Sequence, residues 1–290
     1  MADDEHIDEH TGTATTGHEW DGIRELNTPL PRWWLWTFYA TVAFSVIYWV
    51  LMPAWPGING YSHGMLGYST RASIETTMVQ AKQATAGMRE RVAATSLAEI
   101  EKSPDLLEFA IAGGRSAFAV NCSQCHGLDA GGRKGFPNLN DDDWLWGGKL
   151  DDINFTITHG VRNGADPDAR DTQMPRFLVD GILTVPQISD VADYILSLSG
   201  AAHDAAAAAR GQALFTQNCA ACHGDKGEGN REFGAPRLID NIWLYGGDRG
   251  AIIQTISSAR SGAMPNWGAR LDKETIKELT VYVHSLGGGQ

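Results

Sequence analysis

The chain has 290 residues, of which 43% are hydrophobic, and it carries a formal net charge of -12. This length allows two small domains with additional segments, and the hydrophobic share excludes wholesale disorder. Lys and Arg number 23 against 35 Asp and Glu, and that acidic balance argues against a nucleic-acid partner.

The first predicted element is a membrane anchor at residues 30–56. Residues 33–52, "WWLWTFYATVAFSVIYWVLM", contain no charged side chain, and at ~1.5 Å per residue such a helix matches a hydrocarbon core of ~30 Å. Tryptophans flank it at both ends, where aromatic rings favour the lipid headgroups. The alternatives are a buried core helix and a cleaved signal peptide. The acidic leader and the absence of a small-residue cleavage site argue against the signal peptide.

Two features of this region predict its surroundings. Thr37, Thr41 and Ser45 recur at every fourth position, so they share a helix face that another membrane helix can approach closely. Arg24 and Arg32 precede the apolar stretch, whereas the first Arg after it is Arg71. This bias predicts that residues 1–29 form a cytoplasmic N-terminal segment.

A linker arm is expected at residues 57–111, on the other side of the membrane. It starts with Gly, Pro, Ser and Tyr, which predict an irregular chain. Residues 72–102 alternate apolar and charged side chains and predict a helical part. Ser103 and Pro104 then form a helix start, with Ser103 as N-cap.

The remaining chain is an internal repeat. The stretch "NCSQCHG" begins at Asn121 and "NCAACHG" begins at Asn218; "WLWGG" is matched by "WLYGG", and one Met-Pro pair follows in each copy. The repeat predicts two homologous, mainly helical domains at residues 112–200 and 203–290.

Each repeat closes with an amphipathic helix, which we expect to pack on its own domain. Thr184 and Gln187 predict a capping box for the first of these helices, and Asp272 predicts a cap for the second. The apolar stripes are related by a constant displacement: Ile188, Val191, Ile195 and Leu198 correspond to Ile276, Leu279, Val283 and Leu286.

The repeated cysteine motif is C-x-x-C-H, in which two thiols and an imidazole emerge on one face of a helix. This motif is typical of covalent attachment of haem c. It predicts thioether bonds from Cys122, Cys125, Cys219 and Cys222, and proximal iron ligation by His126 and His223. A zinc site, a thioredoxin-like dithiol and structural disulfides are the alternatives. Zinc favours a second C-x-x-C much closer in sequence, and a dithiol does not require the following His.

Met174 and Met264 are the candidates for the sixth iron ligands. Each is the only methionine that follows the cysteine motif within its repeat, and each precedes proline, which restricts the backbone that presents the sulfur. A thioether ligand suits an electron carrier because it raises the haem potential. His159 and His284 are rival ligands, but they occupy different positions in the two repeats, which favours surface or core-edge roles.

The stretch "HEWDGIRELNTPLPRWWLW" from His18, together with "PAWPG", "LGYSTR" and both haem motifs, resembles the dihaem subunit of cbb3-type cytochrome c oxidases. The resemblance covers essentially the whole chain and implies one transmembrane helix followed by two class I cytochrome c-like domains. Some members carry two N-terminal transmembrane helices, whereas this chain has one candidate.

This resemblance implies an electron-transfer role in a proton-translocating haem-copper terminal oxidase of aerobic or microaerobic respiration. Electrons would arrive from a cytochrome bc complex through c-type cytochromes and pass to a monohaem subunit and the catalytic haem-copper subunit. The chain would have no active site of its own. Haem attachment in this class occurs outside the bacterial cytoplasm, so residues 53–290 should face the periplasm from the inner membrane. The alternatives are a free-standing membrane-anchored electron shuttle, a dihaem peroxidase and a haem-based gas sensor.

Residues 113–199 hold twelve acidic and seven basic side chains. This surplus suggests a landing surface for a basic cytochrome on the first haem domain, because complementary charge speeds encounter. Asp141, Asp142 and Asp143 are the candidate contacts.

Overall fold

The computed structural model describes residues 6–287. The chain divides into two compact units, Met1–Gln83 and Ala84–Gln290. Helices dominate the described part, and its strands form only two small antiparallel hairpins.

The first unit begins with a hairpin of β1 (Thr15–Trp20) and β2 (Ile23–Leu26). Asp21 and Gly22 form its two-residue turn, with φ angles of 51° and 85°. Positive φ at both turn positions matches the right-handed strand twist, which explains the Asp-Gly pair. A second, very short hairpin joins β3 (Pro56–Gly57) and β4 (Gly60–Tyr61).

Helix α1 (Arg32–Leu51) lies between these hairpins and corresponds to the predicted anchor. It has 20 residues, none of them buried, and among the described helices it is the one long and apolar enough to cross a membrane. The hydroxyls of Thr37, Thr41 and Ser45 donate to carbonyl oxygens three or four residues earlier. Each hydroxyl proton is therefore donated within the helix, which suits an apolar environment.

The second unit contains the cysteine repeats. Its helices are the end of α2 (Thr70–Ala94), α3 (Leu97–Lys102), α4 (Pro104–Asn121), α5 (Ser123–His126), α6 (Leu150–His159), α7 (Val185–Leu198), α8 (Ala205–Asn218), α9 (Ala220–His223), α10 (Arg249–Ser258) and α11 (Lys273–His284), with a short 3-10 helix at Trp267–Ala269. The expected start of the first haem domain, residue 112, falls inside α4. As the sequence predicts, Ser103 is the N-cap residue of α4, Thr184 and Gln187 form a capping box, and the Asp272 carboxylate accepts from the Thr275 N–H.

The two repeats exchange their C-terminal segments. Helix α7 of the first repeat packs along α8 of the second, and α11 of the second packs along α4 of the first. A Cβ at Gly114 would overlap the Glu278 carbonyl, and a Cβ at Gly211 would overlap the Asp190 carbonyl, so glycine is what allows each close crossing. The expectation that each closing helix packs on its own domain is wrong.

This exchange produces two cores, each built from both repeats. We call the first the Phe118 core: Phe118, Ile153 and Ile157 from the first repeat with Ile276, Leu279 and Val283 from the second. The Phe215 core combines Phe177, Ile188, Val191 and Ile195 of the first repeat with Phe215, Ile252 and Ile256 of the second. Phe118 and Phe215 are 2% and 0% exposed, respectively, so each is the centre of a closed core.

The end of the linker arm packs against α11. Val92, Ile100, Leu106 and Ala110 form a third buried cluster with Val281 of α11. The Lys277 ammonium donates to the carbonyl oxygens of Val92, Ala93 and Thr95 at 2.7–3.2 Å. These carbonyls lie at or just beyond the C-terminus of α2, where a cation satisfies them and the helix dipole together. The end of the arm is therefore part of the folded second unit.

Candidate haem-binding site

Each cysteine motif occupies one tight turn at the end of a long helix. Cys122 follows the last residue of α4, and the N–H groups of Cys125 and His126 donate to its carbonyl at 3.1 and 3.0 Å. Cys219 follows α8 and accepts from Cys222 and His223 at 3.1 and 2.9 Å. In the second repeat, both thiols and the imidazole line a common cavity.

None of the four cysteines forms a disulfide within the described chain. Cys125 and Cys222 are exposed, whereas Cys219 is buried and Cys122 is half-buried. Burial raises the pKa of both Cys122 and Cys219 to about 11. A thiol that stays protonated is a poor metal ligand, so burial of these two cysteines does not favour a zinc site.

Both motif histidines have one ring nitrogen fixed by the backbone. Nδ1 of His126 lies 3.0 Å from the Pro137 carbonyl oxygen, and Nδ1 of His223 lies 3.0 Å from that of Pro236. Because a carbonyl can only accept, Nδ1 carries the proton and Nε2 keeps its lone pair for a metal. Burial lowers the pKa of both imidazoles, which favours the neutral, ligating form.

The two methionines lie with the opposite repeat's cysteine motif. Met174 lines an open cavity together with Cys219, Cys222 and His223. This cavity, counted out to solvent, measures about 1350 Å³ and is lined mainly by apolar side chains. Met264 instead packs against the Phe118 core, as Cys122 also does. The structure thus brings together His223 with Met174, and places Met264 on the core that carries His126.

Backbone hydrogen bonds hold each methionine segment across the repeats. Met264 and Val161 exchange two bonds of 2.8 and 3.0 Å, just beyond α6. Three residues after Met174, the Phe177 N–H donates to the Ile256 carbonyl of α10 at 3.1 Å. The exchange therefore begins at the methionine segments and continues through α7 and α11.

The rival histidines lie elsewhere. Nδ1 of His159 is 3.1 Å from the Asp166 carboxylate, and Nδ1 of His284 is 3.2 Å from the Glu101 carboxylate. Both side chains are about a quarter exposed, at 26% and 25%. Neither is among the residues that line the cavity of His223, and their positions fit core-edge residues.

Comparison with known proteins identifies the family. Residues 12–59 match the N-terminal domain of cytochrome oxidase-cbb3, FixP; residues 111–199 match the cytochrome c family; and residues 206–283 match cytochrome c oxidase, cbb3-type, subunit III. The cbb3-type cytochrome c oxidase subunit FixP of Azorhizobium caulinodans is 54% identical over 98% of this chain and 96% of its own. Subunit CcoP of Cereibacter sphaeroides is 51% identical over 95% of both chains, and FixP of Bradyrhizobium sp. is 51% identical over both full lengths.

The chain belongs to the CcoP/FixP family of cbb3-type cytochrome c oxidase subunits. Membership gives this CcoP/FixP chain two c-type haems, an electron-transfer role in a cbb3-type oxidase and a membrane anchor. The sequence-based predictions of the family, the mainly helical fold and the haem cofactors are confirmed.

The polar groups near both cores fit haem. Among the described residues, the buried indole N–H of Trp144 has no hydrogen-bond acceptor, and Trp144 packs against the Phe118 core. Its counterpart Trp243 lines the cavity of His223, as do Arg162 and Arg260. Burial lowers the pKa of Arg162. A buried donor without a partner is costly, and the carboxylates of a haem would satisfy such groups.

Each repeat has an arginine that sequence reasoning missed, and one of the two, Arg260, lines the cavity of His223. Arg170 donates to the Thr156 hydroxyl and lies over the Trp146 ring, 5.2 Å from its centroid. Arg260 donates to the Thr255 hydroxyl and lies 4.9 Å over the Tyr245 ring. Both arginines precede Met-Pro by the same spacing, Ala-Arg-x-x-x-Met-Pro. That repeated motif was the signal available in the sequence.

The acidic run at Asp141–Asp143 is less open than expected. Asp142 is exposed, but Asp141 and Asp143 are half-buried. Burial, together with the Asp240 and Asp141 carboxylates, raises the pKa of Asp143 to about 6. Asp143 also lines the cavity that contains His223. Only one of the three carboxylates is therefore fully presented to a partner.

Proposed function

We propose that this subunit relays electrons from a c-type cytochrome, itself reduced by a cytochrome bc complex, to the monohaem and catalytic haem-copper subunits of the oxidase. The oxidase names of its relatives support the assembly. Oxygen reduction takes place in the catalytic subunit, because a methionine completes each iron here and leaves no open coordination position.

The ligand sets of this proposal cross between the repeats. Cys122, Cys125 and His126 would hold one haem together with Met264. Cys219, Cys222 and His223 would hold the other haem together with Met174. When bound, each haem supplies an iron that gains and loses one electron. The observation that carries this pairing is the cavity shared by Met174 and the second cysteine motif.

Residues of this chain would also tune the reduction potential of each haem. The Nδ1–H bond to a proline carbonyl orients each imidazole and makes it a stronger ligand. A methionine thioether as a further iron ligand would raise the reduction potential of the haem. Apolar side chains make up most of the lining around His223 and Met174, which would limit the reorganisation that accompanies electron transfer.

The proposed topology is a single pass through the bacterial inner membrane, with the N-terminal segment in the cytoplasm and both haem sites in the periplasm. The arginine bias around α1 supports this orientation. Two c-type haems support it further, because their attachment takes place outside the cytoplasm.

The crossed ligands can be tested with a spectroscopic label on one haem. Cys125→Ser leaves one vinyl group unreacted, which shifts the α-band of that haem to longer wavelength and marks it. Cys125 is exposed, so the change disturbs no core. In this background we expect Met264→Ala to admit carbon monoxide at the marked haem, and Met174→Ala to admit it at the unmarked one.

Cys222→Ser provides the matched control, because it marks the other haem and must reverse the result. If carbon monoxide bound the marked haem in the Cys125→Ser, Met174→Ala variant, each methionine would ligate the haem of its own repeat and the crossed pairing would be wrong.

The oxidase assignment is tested separately. Mild solubilisation should recover this subunit together with the haem-copper subunit, and recovery of this subunit alone, with cellular oxidase activity intact in its absence, would favour a free-standing shuttle.

A further inference from the structure

The loop after Met174 exposes a patch of aliphatic side chains. Leu178, Val179, Ile182 and Val185 are 39%, 59%, 47% and 63% exposed. We call these four residues the Met174-side patch. They lie between the methionine that lines the cavity of His223 and the start of α7.

The backbone under this patch is held in place. Phe177 and Leu183, from the same loop, are buried in the Phe215 core at 3% and 5% exposure. The N–H of Leu178 donates to the Ser257 carbonyl at 3.2 Å, and those of Ile182 and Leu183 donate to the Phe177 carbonyl at 2.9 Å. The exposed side chains therefore project from an ordered loop whose other apolar residues are already packed.

The corresponding stretch of the second repeat has no such patch. After Met264, the large apolar side chains are Trp267 and Leu271, and both pack against the Phe118 core. Within residues 265–271, all of which the structure describes, no large hydrophobic side chain is exposed. Folding of the repeat does not require the four exposed aliphatic residues, since the other copy closes its core without them.

The stretch that contains the patch is acidic. Residues 164–190 carry five carboxylates against two guanidinium groups, although Asp190 is paired with Arg210 at 2.6 Å. Arg170 donates to Thr156, and Arg176 forms a 2.7 Å ion pair with Asp180. Asp168 and Asp171 are exposed on the same stretch. A partner for this surface should therefore carry an apolar centre with basic residues around it.

We infer that the Met174-side patch is the docking surface for the soluble electron donor, a small redox protein whose own cofactor edge is apolar and ringed by Lys or Arg. The inference rests on the proposed relay and adds to it that electrons enter at the haem held by His223. Complexes of this kind are short-lived and bury less than about 1,200 Å², which a four-residue aliphatic centre with a charged rim can supply.

The test uses the complete oxidase in which this subunit carries the double substitution Val179→Ser and Ile182→Ser. Two rates of haem reduction are measured at low salt: one with a basic c-type cytochrome as donor, and one with ascorbate and a small mediator. We expect the second-order rate with the cytochrome to fall by about tenfold, the size of effect that contact residues have on specific association. The rate with the mediator and the methionine-to-iron charge-transfer band should remain unchanged.

The matched control is Val120→Ser with Leu128→Ser, which removes two exposed aliphatic side chains beside the first cysteine motif. This control should react with the cytochrome at the wild-type rate. Asp168→Asn with Asp171→Asn should weaken the salt dependence of the reaction, whereas Asp142→Asn should leave it unchanged.

An unchanged cytochrome rate in Val179→Ser with Ile182→Ser would overturn the inference. Loss of another subunit from the purified variant would also overturn it, because the patch would then be a permanent subunit contact. Failure of the proposed ligand set has a different signature: unchanged charge-transfer bands and no carbon monoxide binding in the Met174 or Met264 variants, independently of any protein donor.

Discussion

The Phe118 core and the Phe215 core are built from the same repeated elements, but they differ in what lies outside them. A third layer covers the Phe118 core, where the linker arm packs on α11 through Val92, Ile100 and the Lys277 contacts. The Phe215 core lacks such a layer among the described residues and instead carries the Met174-side patch. The two repeats therefore share the cysteine motif and the Met-Pro pair, but they differ in what lies outside each core.

The largest expected effect comes from filling one helix crossing. Gly114→Val places side-chain atoms against the Glu278 carbonyl and the Tyr282 side chain, so α11 cannot approach α4. Overpacking of this kind costs about 3 kcal/mol. We expect carbon monoxide to bind the haem attached to Cys122, with the other haem unaffected, and Gly211→Val to give the reverse pattern.

Gly87→Ala is the control for these glycine variants, because a Cβ there meets nothing within 4 Å. It should stabilise α2 by about 0.5–1 kcal/mol, as Ala does at ordinary helix positions. Carbon monoxide binding at both haems in Gly114→Val would mean that the two cores unfold together and cannot be compared separately.

A smaller effect is expected from the ion pair beside the Phe215 core. The Asp193 carboxylate, 3% exposed, forms a 2.7 Å pair with Arg249 on α10. The hydrogen bond from Arg249 lowers the pKa of Asp193. Arg249→Met leaves that carboxylate without its ion-pair partner and should cost about 2 kcal/mol, less than the about 3–5 kcal/mol of fully buried pairs, because Arg249 itself is half exposed.

The pH dependence follows from the direction of that shift. A carboxylate with a lowered folded-state pKa stabilises the fold above its unfolded value of about 3.9 and loses this contribution as pH falls through the folded value. Guanidinium unfolding of the full chain, followed by the charge-transfer band, should show the wild type and Arg249→Met converging in acid. A gap that is constant with pH would show that packing, not charge, causes the loss.

The smallest effect is expected on the other core and has the opposite sign. Glu278 on α11 is buried, its Oε1 has no hydrogen-bond partner among the described residues, and Arg89 is 3.7 Å away. Burial raises the pKa of Glu278. The charged form therefore opposes folding, so wild-type stability declines as pH rises from below about 4.3 through the raised folded value.

Glu278→Gln should accordingly stabilise the Phe118 core at neutral pH by about 1 kcal/mol, the cost of an unsatisfied buried group. The advantage should vanish in acid, and the same unfolding measurement detects both. A destabilised variant at neutral pH would mean that the attraction to Arg89 outweighs burial.

Sequence reasoning could predict the local parts of this structure because they depend on near neighbours. The C-x-x-C-H turns, the capping boxes and the position of α1 follow from short motifs. The pairing of the closing helices did not follow, because Gly114 with Phe118 and Gly211 with Phe215 offer equivalent surfaces to either helix.

The connection length decides between these two pairings. Helix α7 ends at Leu198 and α8 begins at Ala205, and such a short link favours packing of consecutive elements against each other. The contacts of the linker arm could not be predicted either. Lys277 has no basic counterpart in the first repeat, and Arg89 lies outside both repeats, so comparison of the repeats gives no signal for them.

The exchange of closing helices also sets an order of maturation. Helix α4 and the first cysteine motif emerge early during synthesis, but α11, which closes the Phe118 core, is the last helix of the chain. The Phe215 core is assembled from elements that are neighbours in sequence, whereas the Phe118 core needs contacts between distant parts, which form slowly. Under the proposed periplasmic topology, the first cysteine motif would be exported first and enclosed last, and it would stay open to the haem-attachment machinery until α11 has crossed the membrane.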